Sequence, residues 1–246
     1  MKVFRAEKLK IKNSRMRLYS MAIPVLCGGF SLLFGGSRNI LHQSIYWWAG
    51  VFLPALLQIL AYRNISVEKK SNDFFHLKTS AVNTGRVYLA KIFWTLYYGF
   101  AGNAWMILLI LFFKWSMPHS DLIDGNLQIV SGTLTVYFAS LWILPLFFLL
   151  SEKMKPLLLI LFHFLISFLI SPFVAGSKFF LFLPHCYAFK PAKLFFLVKE
   201  SGDILNRPVM KTDRAEMTLA LSLSLILFLI FSFLLYRRES ENVRQI

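Results

Sequence analysis

Charge is what this sequence is short of. Asp, Glu, Lys and Arg make up only 16% of its 246 residues, against about 25% in ordinary soluble domains. The shortage is mainly acidic, with 12 Asp and Glu against 27 Lys and Arg. Two cysteines are too few for a disulfide framework or a Cys-rich metal site. The patterns G-x-x-x-x-G-K-[ST], H-E-x-x-H and G-x-S-x-G do not occur, which excludes a P-loop, a zincin-type metal site and a hydrolase nucleophile elbow on this chain. His42, His76, His119, His163 and His185 are scattered rather than grouped. No catalytic residue, metal site or cofactor is therefore assigned.

What is abundant is apolar surface. Hydrophobic residues reach 57%, 26 residues are Phe and the mean hydropathy is +0.59. A soluble domain of this size could not cover so much apolar area, and a disordered chain shows the opposite bias. Six stretches are free of Asp, Glu, Lys and Arg: Leu18–Ser37, Asn39–Tyr62, Ile92–Phe113, Gly125–Ser151, Pro156–Ser177 and Met217–Tyr236. Each is long enough for the roughly 20 residues that cross a hydrocarbon core of about 30 Å. Helices satisfy their own backbone groups in lipid. The fold class expected is an all-α integral membrane protein, a single domain over 1–246 with spans at about 18–37, 42–62, 88–113, 129–151, 156–177 and 217–236. The first stretch lacks a small-x-small cleavage site before Ser37-Arg38-Asn39 and is read as a span, not a signal peptide.

Orientation follows from the loops. With both termini cytoplasmic, segments 1–17, 63–91, 152–155 and 237–246 hold 18 of the 27 Lys and Arg, the positive-inside pattern. The excess charge then anchors membrane lipid and needs no nucleic acid. The long segment 178–216, with seven positives and four negatives, is the exception. Trp47, Trp48, Trp94 and Trp115 stand near span ends, where indoles favour the headgroup level.

Three connecting segments carry unusual residues. The first 17 alternate apolar and basic positions, with Val3, Phe4, Ile11 and Leu18 on one side of a helical wheel. That predicts an amphipathic helix on the inner membrane surface, or a plain basic flank. The loop 63–86 opens with Glu68-Lys69-Lys70 and then places Phe74 and Phe75 together, a pattern for a short helix docked on a partner or on the membrane. After the fifth span, FFLFLPHCYAF is eleven residues without charge, too short to cross. It predicts a short helical hairpin dipping into the outer leaflet, or an interfacial loop. Within spans, Gln58, Asn103 and His163 are read first as interhelical hydrogen-bond groups. Cys27 and Cys186 are read as unpaired small hydrophobes.

A basic helix before span one, the run Tyr46-Trp47-Trp48 opening span two, Leu53-Pro54 within it, Glu68-Lys69-Lys70 and Lys91 at span three together resemble bacterial ABC type-2 permeases. More narrowly they resemble the permease subunits of lantibiotic (bacteriocin) self-immunity transporters. Leu183-Pro184-His185-Cys186-Tyr187 sits where such permeases carry a Pro-aromatic motif, with His185 replacing the aromatic neighbour. The resemblance implies a multi-pass permease in the cell membrane of a Gram-positive bacterium. Its implied partners are a second permease subunit, a separate ABC ATPase subunit in two copies that binds the ATP, and a peptide substrate. It further implies an ATPase-coupling loop with Glu68, Lys69, Lys70, Phe74 and Phe75, and an outer lid with Phe179, Phe180, Phe182, Pro184 and His185. The alternative reading of the residues is a non-transporting membrane partner, a sensor or assembly subunit. An intramembrane protease lacks its clustered acids and histidines.

Overall fold

The computed structural model describes residues 2–12, 14–70, 84–117, 125–151, 154–205 and 211–242. They form a multi-span helical membrane protein. Six helices are long and apolar enough to cross a bilayer: Met16–Gly35, Ile40–Val67, Thr84–Ser116, Asn126–Leu150, Pro156–Ala175 and Lys211–Glu241, here spans 1 to 6. Two short helices accompany them, Lys2–Lys12 before span 1 and Phe189–Phe196 between spans 5 and 6. With six crossings, both termini belong to one end of the bundle, the terminal end. Residues 178–205 belong to the opposite end.

The apolar windows locate every span but cut spans 2, 3 and 6 short, because a charge-free filter stops at the first ionisable side chain. Span 3 starts at Thr84 and includes Arg86 and Lys91, while span 6 starts at Lys211. The helix that began as span 2 continues to Lys70. Helical geometry persists through charges that lie outside the hydrocarbon or, like Lys91, have a buried partner.

Spans 2 and 4 are central, with 61% and 67% of their most apolar windows buried, against 17% for span 6. Spans 2 and 3 approach closely where small residues permit it. A Cβ added to Gly102 would lie 2.5 Å from a Leu56 methyl, and one on Gly99 2.7 Å from Leu57. Trp48 Nε1 donates to Asn103 Oδ1 at 3.0 Å across the same interface, as expected of an intramembrane polar pair. Leu33, Phe173, Leu229 and Phe233 are exposed, which in a bilayer is contact with lipid.

Three spans are irregular near their middles, each beside a proline. Span 2 has a π-helical turn at Trp48–Phe52 before Pro54, and span 5 one at Ile166–Ile170 before Pro172. Span 4 is interrupted at 140–142 before Pro145. Proline lacks an N–H and its ring crowds the carbonyl four residues back. Those carbonyls belong to Gly50, Leu141 and Phe168, all within the irregular turns. Pro24 is tolerated inside the continuous helix of span 1.

Candidate functional site

At the terminal end the short helix Lys2–Lys12 does more than lie on a surface. Glu7 and Ile11, one turn apart, are buried at 2% exposure each. The Glu7 carboxylate accepts from Lys91 Nζ at 2.8 Å, and Lys91 is itself 1% exposed. Lys10 also pairs with Glu7 at 3.0 Å. The site is completed by Asn64 near the end of span 2, whose Nδ2 donates to the Lys91 carbonyl and to Thr95 Oγ1, both at 3.2 Å. Trp94 Nε1 donates to the Phe4 carbonyl at 3.1 Å, and Lys8 stands over the Trp94 ring at 5.6 Å. Buried charges persist where they are paired and hydrogen-bonded, and here the pairing fastens the helix to spans 2 and 3. Of the four residues expected on one apolar side, Ile11 is buried, Val3 is half-buried, and Phe4 and Leu18 are exposed. The helix presents Arg5, Lys8 and Leu9 outward.

Glu68, Lys69 and Lys70 form the last turn of the helix Leu53–Lys70. Phe74 and Phe75 lie outside the described residues, so the loop expected over 63–86 is shortened at both ends by helix.

At the opposite end the chain re-enters the bundle. From the end of span 5 it runs back through two 3-10 turns, Lys178–Phe182 and Pro184–Cys186, and returns as the helix Phe189–Phe196. One α-helix and two 3-10 turns thus replace the expected pair of short helices, because Pro184 and Pro191 prevent a longer run. The tip goes deep. His185 and Pro184 line a cavity of about 10 Å³ with Ala49 and Pro54 of span 2, Ser140 and Trp142 of span 4, and Ser167 of span 5. Room for one water-sized group at most remains there. All three irregular spans therefore meet the hairpin tip, consistent with the rule that non-helical backbone at membrane depth is enclosed by protein.

His163 of span 5 and His185 share a hydrogen bond, Nδ1 to Nε2 at 2.8 Å, so one ring donates and the other accepts. The Trp142 ring meets His185 edge-on at 4.9 Å. Cys186 Sγ donates to the Ser171 carbonyl at 3.5 Å, and both cysteines are free and buried. The returning helix is anchored by His42 Nδ1 donating to the Phe196 carbonyl at 2.6 Å and by Gln128 Nε2 donating to that of Phe195. It ends at Leu197 in the left-handed region (φ 51°). A tight turn then pairs Val198 with Ile204 around Gly202, whose φ of 92° suits glycine.

Five charges hold this cap to span 6. Lys190, 3% exposed, donates to Glu216 at 2.7 Å and to the Ala175 carbonyl at the end of span 5 at 2.6 Å, and its ammonium lies 4.1 Å above Phe180. Lys193 bridges Glu200 and Asp213, each at 3.2 Å. Burial pulls the Lys193 ammonium down, but the two carboxylates outweigh it and its pKa is raised. Two of the seven positives in 178–216 are thus paired internally, together with three of its four negatives.

The lid residues divide. Phe179 and Phe182 are 70% and 83% exposed, whereas Phe180 is 4% exposed. Three residues per 3-10 turn put 179 and 182 on one face and 180 on another. Sequence reasoning missed Glu7, Asn64 and the His163–His185 contact. Glu7 was visible as the lone acid among seven basic residues. Among the described residues, no three His, Cys, Asp or Glu side chains are grouped to hold a metal. Comparison with known protein families, curated proteins and solved structures returned no match.

Proposed function

We propose that this chain is the membrane-spanning permease subunit of an ABC exporter, paired with a second permease subunit and driven by a separate ATPase subunit. Its proposed cargo is a lantibiotic or similar antimicrobial peptide, expelled from the membrane to protect the producing cell. The observation that carries the reading is the Glu7–Lys91 joint. It fixes an amphipathic helix to the bases of spans 2 and 3, between which the segment 71–83 leaves and returns. A motor bound at that segment has a stiff attachment through which to move two spans, and the chain itself needs no nucleotide site. The cargo rests on the resemblance of Tyr46-Trp47-Trp48, Leu53-Pro54 and Glu68-Lys69-Lys70 alone. The central cavity of about 10 Å³ does not admit a peptide, which supports a path along a surface shared with the second permease. It equally favours the second reading, a sensor or assembly subunit without transport.

Purification of the full chain in mild detergent, with identification of every copurifying polypeptide, separates the two. The permease reading expects a P-loop ATPase, lost when Glu68→Lys is combined with Phe74→Ser and Phe75→Ser. Undiminished ATPase recovery removes the loop as the main contact. A histidine kinase without an ATPase favours the second reading. A Phe74 that is labelled from the cell exterior overturns the orientation.

A further inference from the structure

Where span 1 begins and span 2 ends, at the terminal end of the bundle, one arginine is tied to a tyrosine. Arg63 donates from Nε and Nη2 to the Tyr19 hydroxyl at 3.2 and 2.7 Å, and its guanidinium carbon lies 5.3 Å from the centre of the Tyr19 ring. A guanidinium carries five N–H donors. Tyr19 takes two of them; the other three, both on Nη1 included, have no acceptor among the described residues. The phenol proton is also unused there. Arg15 stands one turn before Tyr19 on the same face of span 1, its carbonyl accepting from the Tyr19 amide at 3.2 Å, and its side chain is exposed. No carboxylate pairs with Arg15 or Arg63 among the described residues.

Depth argues for the occupant. Tyr19 is the second residue of the charge-free stretch Leu18–Ser37, and Arg63 is the first after Asn39–Tyr62. The edge of the hydrocarbon therefore passes through this pair, and phospholipid phosphates lie just outside that edge. The neighbouring side chains on the bilayer side are apolar or aromatic and open: Leu18, Met21 and Tyr62 are 58%, 46% and 38% exposed. A ligand with an anionic head and an apolar tail meets both halves of this surface. The acidic face of a soluble partner would meet only the arginines.

We propose that Arg15, Tyr19 and Arg63 bind the phosphodiester of one anionic glycerophospholipid in the leaflet at the terminal end. Arg63 Nη1 and the Tyr19 hydroxyl donate to its oxygens, and Arg15 adds charge from the water side. A head group with no cation of its own is selected, because a choline would be brought against two guanidinium groups. The site is independent of the transport reading and serves a permease or a non-transporting subunit alike.

The test is native mass spectrometry of the full chain, stripped of lipid in detergent and titrated with dioleoyl phosphatidylglycerol or dioleoyl phosphatidylcholine. One phosphatidylglycerol per chain is expected to bind about tenfold more tightly than phosphatidylcholine. Arg63→Gln brings this preference to nothing. Tyr19→Phe, which keeps the ring and removes the hydroxyl, lowers it about threefold. Arg15→Gln, at an exposed position outside the spans, also lowers it about threefold and gives the answer should Arg63→Gln fail to fold. Arg17→Gln is the control. Arg17 is exposed at the same depth but about 160° around the helix from Tyr19, and its loss leaves the preference within about 1.5-fold. Equal binding of the two lipids by the unmodified chain overturns the site. So does a loss from Arg17→Gln as large as that from Arg15→Gln, which would mark diffuse attraction to a basic flank. Photocrosslinking from p-benzoylphenylalanine at Tyr62 to a polypeptide in native membranes, in place of lipid, overturns the occupant in favour of an acidic protein partner.

Discussion

The two ends of the bundle are fastened by opposite strategies. At the terminal end one carboxylate, Glu7, and one ammonium, Lys91, are both almost fully buried, and they pair beside the buried Ile11 and the Trp94–Phe4 hydrogen bond to hold Lys2–Lys12. At the other end Lys190, Lys193, Glu200, Asp213 and Glu216 share the task, each Lys facing two carboxylates. A deep pair is strong while intact and costly to break at either member. A network open at its rim loses members one at a time. The terminal end is therefore a joint centred on one deep ion pair, and the opposite end a seam with several stitches.

The contrast breaks most sharply at Glu7. Glu7→Gln removes the buried carboxylate that Lys91 Nζ meets at 2.8 Å, and the expected loss is about 3–5 kcal/mol, measured by unfolding in detergent together with rapid protease cleavage in residues 2–12. Adding Lys91→Met to Glu7→Gln recovers much of that loss, since neither charge then remains buried. At the seam, Lys190→Met costs less, about 2 kcal/mol, because Lys193 retains Glu200 and the Glu216 carboxylate is already partly open. Equal losses at the two ends would erase the distinction. Least of all is expected from Phe179→Ser with Phe182→Ser, two side chains that face outward. Stability should change by within about 0.5 kcal/mol, while the peptide-export function proposed above expects protection to fall. Unchanged protection removes Phe179 and Phe182 from the proposed lid.

How much of this was legible beforehand depends on the range of the signal. The six spans come from local composition and survive intact. Their ends do not: a charge-free window stops at Lys91, a buried ion in space, and even the start expected at about 88 falls short of Thr84. The surface helix was legible from alternation, but the side that docks was not, since the wheel weighs Phe4 and Leu18 by hydrophobicity and cannot see that Glu7 has a counter-ion 84 residues away. A break into short pieces after span 5 was readable from eleven uncharged residues with Pro184 among them and Pro191 just beyond, while hairpin and interfacial loop were both open. Its depth was not, being set by the contact of His185 with His163 and by irregular turns in three other helices. Phe180 was grouped with Phe179 and Phe182 because helical type was unknown, and the 3-10 turn separates them.

The π turn at Trp48–Phe52 has a consequence for azimuth. In an uninterrupted α-helix, at about 100° per residue, Trp47 and Ile59 would point about 120° apart around the axis. A π turn takes up one extra residue, and the remaining offset falls to about 20°. Two side chains twelve positions apart thereby line the same wall of a cavity of about 400 Å³ between spans 1, 2 and 5, which owes its length to a single inserted residue.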